Sequence, residues 1–214
     1  MDFENKYNLA VDENAVVKTV EKIKGQLNSG VSDKALLATC FSLIDLTTLN
    51  STDSIERGKL FAQRVSDFSE KFPGLPNVAA ICVYPSLVAS VRQSLTANNV
   101  KIASVAAGFP SSQTFINIKL SECEMCLEMG ADELDVVISL GAFLSGDYFT
   151  VFSELQQIKE VAGDAHVKVI LETGALPSLS LVRRASFLAM EAGADFIKTS
   201  TGKMDISATP ETVY

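Results

Sequence analysis

The sequence predicts an α/β fold in which a parallel sheet is covered by amphipathic helices. Six short apolar runs, each of strand length, alternate with helical patterns through most of the chain. Because these runs are nearly continuously apolar, they indicate strands that are buried on both faces. Polar or glycine-containing segments follow most of the runs, and ligands of parallel α/β folds bind where strands end. We therefore expect one globular domain with its functional residues at the carboxyl ends of the strands.

Two helical patterns precede the first strand. They cover about residues 13–27 and 32–40, with Ser32 as the expected N-cap and Asp33 in the first helical turn. The alternating pattern begins only after them. The expected organisation is therefore a helical N-terminal extension, residues 1–40, packed on a main domain, residues 41–214.

The strands and helices of the main domain alternate. Apolar runs predict strands at 43–46, 79–83, 102–106, 134–138, 167–171 and 196–198. Helical patterns lie near 55–71, 86–98, 113–129, 148–162 and 178–192, and segment 206–214 is expected to begin a further helix. This order is typical of consecutive strand–helix units in a parallel sheet.

Composition excludes several classes of function. With 214 residues, 47% of them hydrophobic and 21% charged, the chain can bury a substantial core. Its formal net charge of −8 disfavours nucleic acid and anionic membranes, which bind clusters of Lys and Arg. No apolar stretch approaches the roughly 20 residues of a membrane span, and the acidic start does not resemble a signal peptide. We therefore expect a cytoplasmic protein whose partner is a small molecule.

The four cysteines and the single histidine limit metal and redox chemistry. Cys123 and Cys126 form a Cys-x-x-Cys pair, but they fall within a predicted helix and no second pair accompanies them. Since one histidine cannot complete a zinc site, burial in the core is the preferred interpretation of this pair. All four cysteines lie in apolar contexts, which favours reduced thiols. His166 precedes a strand, so we expect it to be structural and to lie opposite the strand-end residues.

Lys198 is the strongest candidate for covalent chemistry. It directly follows the apolar Phe196 and Ile197, and an amine becomes nucleophilic when apolar surroundings destabilise its charged form. Hydroxyl residues, Gly202 and Lys203 come next, and their donors suit a phosphate group in an otherwise acidic protein. The segment therefore predicts a nucleophilic amine beside a phosphate site.

A repeated segment relates Lys198 to Asp135. Gly-Ala-Asp occurs at 130–132 and again at 193–195, each time between a predicted helix and a predicted strand. Asp135 and Lys198 hold the same position after the glycine, two strand–helix units of roughly 30 residues apart. If the sheet curls into a barrel, alternate strands contribute to one interior layer, which would make these side chains neighbours. A carboxylate and an amine would then meet inside the core.

Five segments of the main domain resemble those of deoxyribose-phosphate aldolases, a family of class I aldolases with a TIM (β/α)8 barrel. They occur in order between about Leu43 and the C-terminus, at 46–50, 80–85, 130–137, 168–174 and 195–203. The resemblance implies a barrel of which this chain contains strands one to six. It implies chemistry without a cofactor, and the single histidine also argues against a metal-dependent aldolase.

The resemblance also implies roles for individual residues. Lys198 would form the Schiff base and Asp135 would transfer protons. Thr201, Gly202 and Lys203 would contribute to the phosphate site. Three further residues correspond to those that line the family's substrate pocket, namely Asp45, Asn50 and Cys82.

One feature departs from the family pattern. The family has a second catalytic lysine in a Lys-Pro-Ala-Gly-Gly segment on the seventh strand, whereas this sequence stops at Tyr214. Lys168 is the nearest substitute, but an odd strand directs its inward side chains into a neighbouring layer, so a pocket-lining or structural role is preferred. Glu172, four residues later, could pair with Lys168 or lie in a solvated loop.

The implied reaction is the reversible cleavage of 2-deoxy-D-ribose 5-phosphate to D-glyceraldehyde 3-phosphate and acetaldehyde. Two alternatives stay open. The chain could be an inactive barrel fragment with unpaired strand edges, or a Schiff-base aldolase with another substrate. Either aldolase would bind a small phosphorylated sugar or aldehyde. The sequence leaves the oligomeric state open, a homo-oligomer included.

Overall fold

The computed structural model describes residues 6–26 and 33–214. Its centre is a sheet of six parallel strands in sequential order: β1 (Asp45–Thr47), β2 (Ala80–Val83), β3 (Lys101–Ala106), β4 (Glu133–Val137), β5 (His166–Ile170) and β6 (Phe196–Lys198). All six predicted strands are present, with boundaries that differ by about one or two residues from those expected. Among the described residues, the outer strands β1 and β6 each pair with one neighbour.

The sheet is curled, which brings β1 and β5 together. In a flat sheet these strands would lie about 19 Å apart, because neighbouring strands are about 4.8 Å apart. Instead, Nζ of Lys168 on β5 lies 2.5 Å from Oδ2 of Asp45 on β1. The six strands thus form a partial barrel with a concave inner face.

Helices connect the strands and cover the outer face of the sheet. In chain order they are α1 (Glu13–Gln26), α2 (Lys34–Ser42), α3 (Ile55–Ser66), α4 (Phe68–Lys71), α5 (Val88–Ser94), α6 (Ile116–Glu128), α7 (Leu140–Leu144), α8 (Tyr148–Ala162), α9 (Leu179–Glu191) and α10 (Pro210–Val213). The predicted helix at 55–71 is split in two at Asp67. Each of these described helices is too short or too polar to cross a membrane.

The cap of α2 differs from the prediction. The side chain of Asp33 accepts hydrogen bonds from the backbone N–H groups of Ala35 and Leu36, at 2.9 and 3.2 Å. Asp33 is therefore the N-cap and not part of the first turn, and α2 begins at Lys34. Ser32, the expected cap, lies outside the described residues.

The main core lies between the outer face of the sheet and the helices. Alternate residues of the strands, such as Leu134 and Val136 on β4, point outward into this core and are fully buried. The inward positions of β2 and β3 carry small side chains, Cys82, Ala103 and Val105, which form a separate cluster. Small residues on this side leave room for the long charged side chains of β4, β5 and β6.

The N-terminal helix and the residues just before it contact the start of α9 and the last helix, α10. Glu13 at the start of α1 accepts a hydrogen bond from the backbone N–H of Leu179, at 3.0 Å, and the N–H of Val11 donates to Oγ of Ser180, also at 3.0 Å. Lys24 near the end of α1 lies 3.6 Å from Glu211 of α10. These contacts agree with an extension that packs on the main domain. The division at residue 40 stays a prediction.

Thiol reactivity should follow burial in this fold. Cys82, Cys123 and Cys126 are buried, Cys40 is exposed, and all four are free. Burial raises the pKa of Cys82 and Cys123 to about 12, so both stay protonated near neutral pH. We expect iodoacetamide at about pH 8 to alkylate Cys40 in the native protein and all four cysteines after unfolding. Peptide mass mapping checks this, and rapid native labelling of Cys82 or Cys123 would contradict it.

Candidate active site

Lys198 and Asp135 form the central pair of the concave face. Nζ of Lys198, the last residue of β6, lies 2.5 Å from Oδ2 of Asp135 on β4. The Asp135 side chain is completely buried, whereas that of Lys198 is 32% exposed. The expected proximity of these residues is confirmed. Because the amine of Lys198 is partly exposed, it can contact a ligand while it stays in contact with Asp135.

Lys168 lies one level deeper than Lys198. In the register of β5 and β6, Lys198 pairs with Ile170, while Lys168 pairs with Asp135 on the other side of β5. Nζ of Lys168 contacts three carboxylates: it is 2.5 Å from Asp45, 2.8 Å from Glu133 and 3.2 Å from Asp135. Lys168 was expected to point into a neighbouring layer, and from there its long side chain reaches Asp135. These ion pairs are compatible with the preferred structural or pocket-lining role.

These carboxylates keep Lys168 charged. Burial alone lowers the pKa of the Lys168 amine, but the nearby charges of Asp135, Asp45 and Glu133 outweigh burial and raise it well above its ordinary value. Lys168 is therefore a fixed positive charge under the Lys198–Asp135 pair.

Cys82 completes the surroundings of Asp135. Its Sγ lies 3.9 Å from Oδ2 of Asp135. Burial, and then the charge of Asp135, raise the pKa of this thiol to about 12, so Cys82 is a neutral, weak donor. Oδ1 of Asp135 has no aligned hydrogen bond within the described chain, although Nζ of Lys168 is close. Asp135 is thus held mainly by two ammonium groups.

Glu172 fixes the loop that follows β6. It is buried and has a left-handed backbone conformation with φ of 52°. Its carboxylate accepts hydrogen bonds from the hydroxyl of Thr201 and, at 3.2 Å, from the backbone N–H of Thr201. Both alternatives for Glu172, a pair with Lys168 and a solvated position, are wrong, because this backbone turn buries the carboxylate against the 199–203 loop.

Several donors of the 199–203 loop are already paired within the described residues, but the hydroxyl of Ser200 is not. Gly202 has φ of 72°, which favours glycine, and a Cβ placed there would meet no atom within 4 Å. The N–H of Lys203 donates to Oγ1 of Thr201 at 3.0 Å, and Nζ of Lys203 donates to the carbonyl of Leu49. Oγ of Ser200 is buried and has no partner among the described residues. The loop can therefore accept an anionic or polar group.

A cavity of about 260 Å³ extends from the Lys198–Asp135 pair to this loop. Lys198 and Asp135 line one part of it, and Thr201, Gly202 and Ser207 line another. Its volume is close to the lower end for small-molecule sites, roughly 300 Å³. The cavity can hold a small molecule that contacts the amine and the loop together.

Comparison with known proteins gives the family. A family model described as DeoC/LacD family aldolase matches residues 39–214. The chain belongs to this aldolase family. A Caenorhabditis elegans relative is 37% identical over 99% of this chain and 70% of its own length. The Homo sapiens deoxyribose-phosphate aldolase is 37% identical over 94% of this chain and 67% of its own length.

Solved structures of DeoC/LacD aldolases share the fold. The Aeropyrum pernix deoxyribose phosphate aldolase, described as having a unique tetrameric structure, has 27% identity and a TM-score of 0.70. The match covers 95% of this chain and 77% of the Aeropyrum chain. The predicted fold, a TIM (β/α)8-barrel type with six strands in residues 6–26 and 33–214, is confirmed.

The predicted site residues of this DeoC/LacD aldolase lie at three levels. Those that line the cavity are Lys198, Asp135, Thr201 and Gly202. Those beneath it, in contact with Asp135 or with one another, are Asp45, Cys82 and Lys168. Lys203 and Asn50 are exposed near Leu49, and Asn50 donates its backbone N–H to Asp53 at 2.9 Å. Direct contact of any of these residues with substrate, and the catalytic roles of Lys198 and Asp135, stay predictions.

Sequence reasoning missed Glu133 and Ser207. Glu133 lies two residues before Asp135, and the period of a strand places both on the concave face, so this signal was available. Ser207 belongs to a segment expected to be helical, but α10 begins later, at Pro210. The preceding loop lies over Gly174, where a Cβ would be 2.2 Å from the carbonyl oxygen of Ile206. Gly174 therefore permits the close approach of the loop that contains Ile206 and Ser207, because any side chain at position 174 would collide with it.

Replacing Thr201 by valine should destabilise the aldolase fold. The change leaves the buried carboxylate of Glu172 without its hydroxyl donor. We expect the free energy of unfolding to fall by about 1–3 kcal/mol, measured by urea denaturation. Thr173→Val is the matched control, since the buried hydroxyl of Thr173 has no partner within the described residues. Its effect should stay within about 0.5 kcal/mol, and equal losses in both variants would contradict the role of Thr201.

Proposed function

We propose that this chain reversibly cleaves 2-deoxy-D-ribose 5-phosphate to D-glyceraldehyde 3-phosphate and acetaldehyde through a Schiff base on Lys198. The observation that carries the proposal is the partly exposed amine of Lys198, 2.5 Å from the buried carboxylate of Asp135, at the wall of a cavity. Relatives named deoxyribose-phosphate aldolase support this choice of substrate.

The pair supplies its own base for activating the amine. At 2.5 Å, a proton on Nζ of Lys198 can pass to Oδ2 of Asp135, which gives a neutral amine and a carboxylic acid without changing the total charge. The amine then attacks the C1 aldehyde carbon of the open-chain sugar. Protons returned to the former carbonyl oxygen allow it to leave as water, and a protonated imine forms on Lys198.

The protonated imine accepts the electrons of the C2–C3 bond. Asp135, directly or through water, removes the proton of the C3 hydroxyl, and the C2–C3 bond breaks. C3 becomes the aldehyde of glyceraldehyde 3-phosphate, and an enamine of the two remaining carbons stays on Lys198. Protonation of C2 by the acid form of Asp135 and addition of water then release acetaldehyde and restore the amine.

The 199–203 loop is suited to the phosphate end of the substrate. The hydroxyl of Ser200 has no partner among the described residues, and the ammonium of Lys203 can turn from the carbonyl of Leu49 to a phosphate. Both are donors in a protein of net charge −8. Local donors of this kind bind anions through charge-assisted hydrogen bonds. In this proposal the phosphate fixes the distance between the sugar aldehyde and Lys198.

Reductive trapping tests the covalent step. We expect borohydride in the presence of acetaldehyde to add an ethyl group to the peptide that contains Lys198, because borohydride reduces the imine to a stable secondary amine. Peptide mass mapping identifies the modified lysine. Modification of surface lysines at equal rates, without preference for Lys198, would refute the proposal.

A Schiff-base aldolase with another substrate is distinguished by turnover. Deoxyribose 5-phosphate should be cleaved with a higher kcat/KM than ketose phosphates or keto acids. A preference for either of these would keep the Schiff base and reject the acetaldehyde chemistry.

We also propose that the protein is cytoplasmic and forms a homo-oligomer. The acidic composition and the free cysteines suit the cytoplasm. The tetrameric form described for the Aeropyrum relative supports an oligomer, as do Phe115, Ile118 and Met125, which expose apolar surface beside and along α6.

A further inference from the structure

A continuous series of polar and charged side chains crosses the partial barrel from the amino-terminal ends of its strands to the carboxyl-terminal ends. It begins at the amino-terminal end of β5, where Nδ1 of His166 lies 3.3 Å from Oε1 of Glu133. Oε2 of Glu133 lies 2.8 Å from Nζ of Lys168, which is 3.2 Å from Oδ1 of Asp135. Oδ2 of Asp135 contacts Nζ of Lys198 at 2.5 Å. We call these five side chains the polar column.

We propose that Glu133 is a positioning residue for the Lys198–Asp135 pair, and that the polar column couples the charge on Lys198 to His166 at its opposite end. Only the catalytic part of this inference rests on the proposed function. The coupling itself is a property of the folded protein.

Burial makes such coupling strong over the length of the column. The side chains of Glu133, Lys168 and Asp135 are 10%, 7% and 0% exposed, whereas the two ends, His166 and Lys198, are 45% and 32% exposed. Charges away from water interact at a low effective dielectric constant and are poorly screened by salt. A change of charge at one end is therefore felt at the other.

Glu133 controls how much of the Lys168 charge acts on Asp135. Lys168 lies close to Asp45, Glu133 and Asp135, so the negative charge of Glu133 offsets part of the positive potential of Lys168 at Asp135. Without the charge of Glu133, the net potential at Asp135 and Lys198 is more positive. Lys168 also loses one of the three contacts that fix its position. Both effects change proton transfer within the pair without touching the cavity.

His166 can serve as a probe of the polar column because few groups of the described residues surround its imidazole ring. Glu133 of β4 faces the imidazole, and Asp195, just before β6, also interacts with it. Asp195 is itself paired with Lys159 of α8 at 2.7 Å, and the ring of Phe196 contacts the imidazole edge-on. Because His166 is the single histidine of the chain, its NMR signals need no assignment among several residues.

An NMR pH titration of His166 tests the coupling without any assay of activity. Lys198→Met removes a positive charge at the far end, so we expect the His166 midpoint to rise by about 0.3 to 0.8 pH units. The shift should persist in about 1 M salt, because the charges between the two ends are buried. Lys71→Met is the control, since Lys71 is an exposed lysine of α4 and pairs only with Asp67 in the described residues. Its shift should be within about 0.1 unit.

Glu133→Gln tests the positioning role. We expect kcat for deoxyribose 5-phosphate to fall about tenfold with little change in KM, and the acid limb of the pH profile to move by about one unit to lower pH. Glu133→Asp should recover part of kcat, because it restores the negative charge. Equal kcat and pH profiles in Glu133→Gln and the unmodified protein would overturn the positioning role.

The His166 titration and the Glu133→Gln kinetics together distinguish failure of this inference from failure of the proposed function. A His166 midpoint that does not move in Lys198→Met overturns the coupling, whatever the activity. A midpoint that moves in a protein without aldolase activity supports the coupling and counts against the proposed function. Thermal unfolding of each variant, measured before the titration and the kinetics, shows whether that variant is folded.

Discussion

Replacing Lys198 by methionine is expected to abolish aldolase activity. Methionine has nearly the length of lysine but no amine, so the imine that accepts the electrons of the C2–C3 bond cannot form. Removal of a covalent nucleophile leaves only binding and polar stabilisation, so kcat/KM should fall by about four orders of magnitude or more. The release of glyceraldehyde 3-phosphate from deoxyribose 5-phosphate measures this loss.

Lys203→Met is the matched control for this prediction. It removes the same charge from the rim of the site, where Lys203 Nζ donates to the carbonyl of Leu49. We expect KM to rise about tenfold while kcat and borohydride trapping on Lys198 are kept, because Lys203 would contact only the phosphate. Retention of more than about 1% of kcat/KM by Lys198→Met would reject the Schiff base.

The strand order and the Lys198–Asp135 contact could be predicted because both follow from period and repetition. Apolar runs marked each strand, and the two Gly-Ala-Asp segments placed Asp135 and Lys198 at equivalent positions of alternate strands. The curl of the sheet then brought them within 2.5 Å. Local sequence was enough here, since each residue had only to point inward from a known strand.

Contacts that depend on side-chain length or on backbone turns could not be predicted in this way. The strand period places Lys168 in a layer next to that of Asp135, but it does not predict that the side chain crosses the interior to Asp45 on β1, four strands away along the sheet. Glu172 turns toward Thr201 because of its left-handed backbone conformation, which is uncommon for glutamate. The spacing of residues along the sequence predicts neither the Lys168–Asp45 contact nor the Glu172–Thr201 contact.

Lys168 has a structural role beneath the Lys198–Asp135 pair. Three carboxylates on two separate parts of the sheet, Asp45 on β1 and Glu133 and Asp135 on β4, converge on its ammonium group. Without that charge they would repel one another in a space with little water. Lys168 therefore joins β1 to the opposite part of the partial barrel and keeps Asp135 in place.

Lys168→Met is accordingly expected to lower the free energy of unfolding by about 3–5 kcal/mol at neutral pH, because breaking a buried ion pair leaves its partners uncompensated. Urea denaturation with a circular dichroism readout measures this. Lys71→Met, which removes an exposed lysine 3.2 Å from Asp67, should cost less than about 1 kcal/mol. A loss of similar size in both variants would show that the Lys168 contacts do not stabilise the barrel.

The stability that Lys168 contributes should also depend on pH in one direction. Its pKa is raised in the folded protein, so the folded state binds this proton more tightly than the unfolded state does. The contribution is therefore complete below the ordinary lysine value of 10.5 and is lost as the pH rises above it. The difference in unfolding free energy between the unmodified protein and Lys168→Met should be constant from about pH 7 to 9 and shrink above about pH 10.5. A difference that grows with alkaline pH would contradict this account of the Lys168 charge.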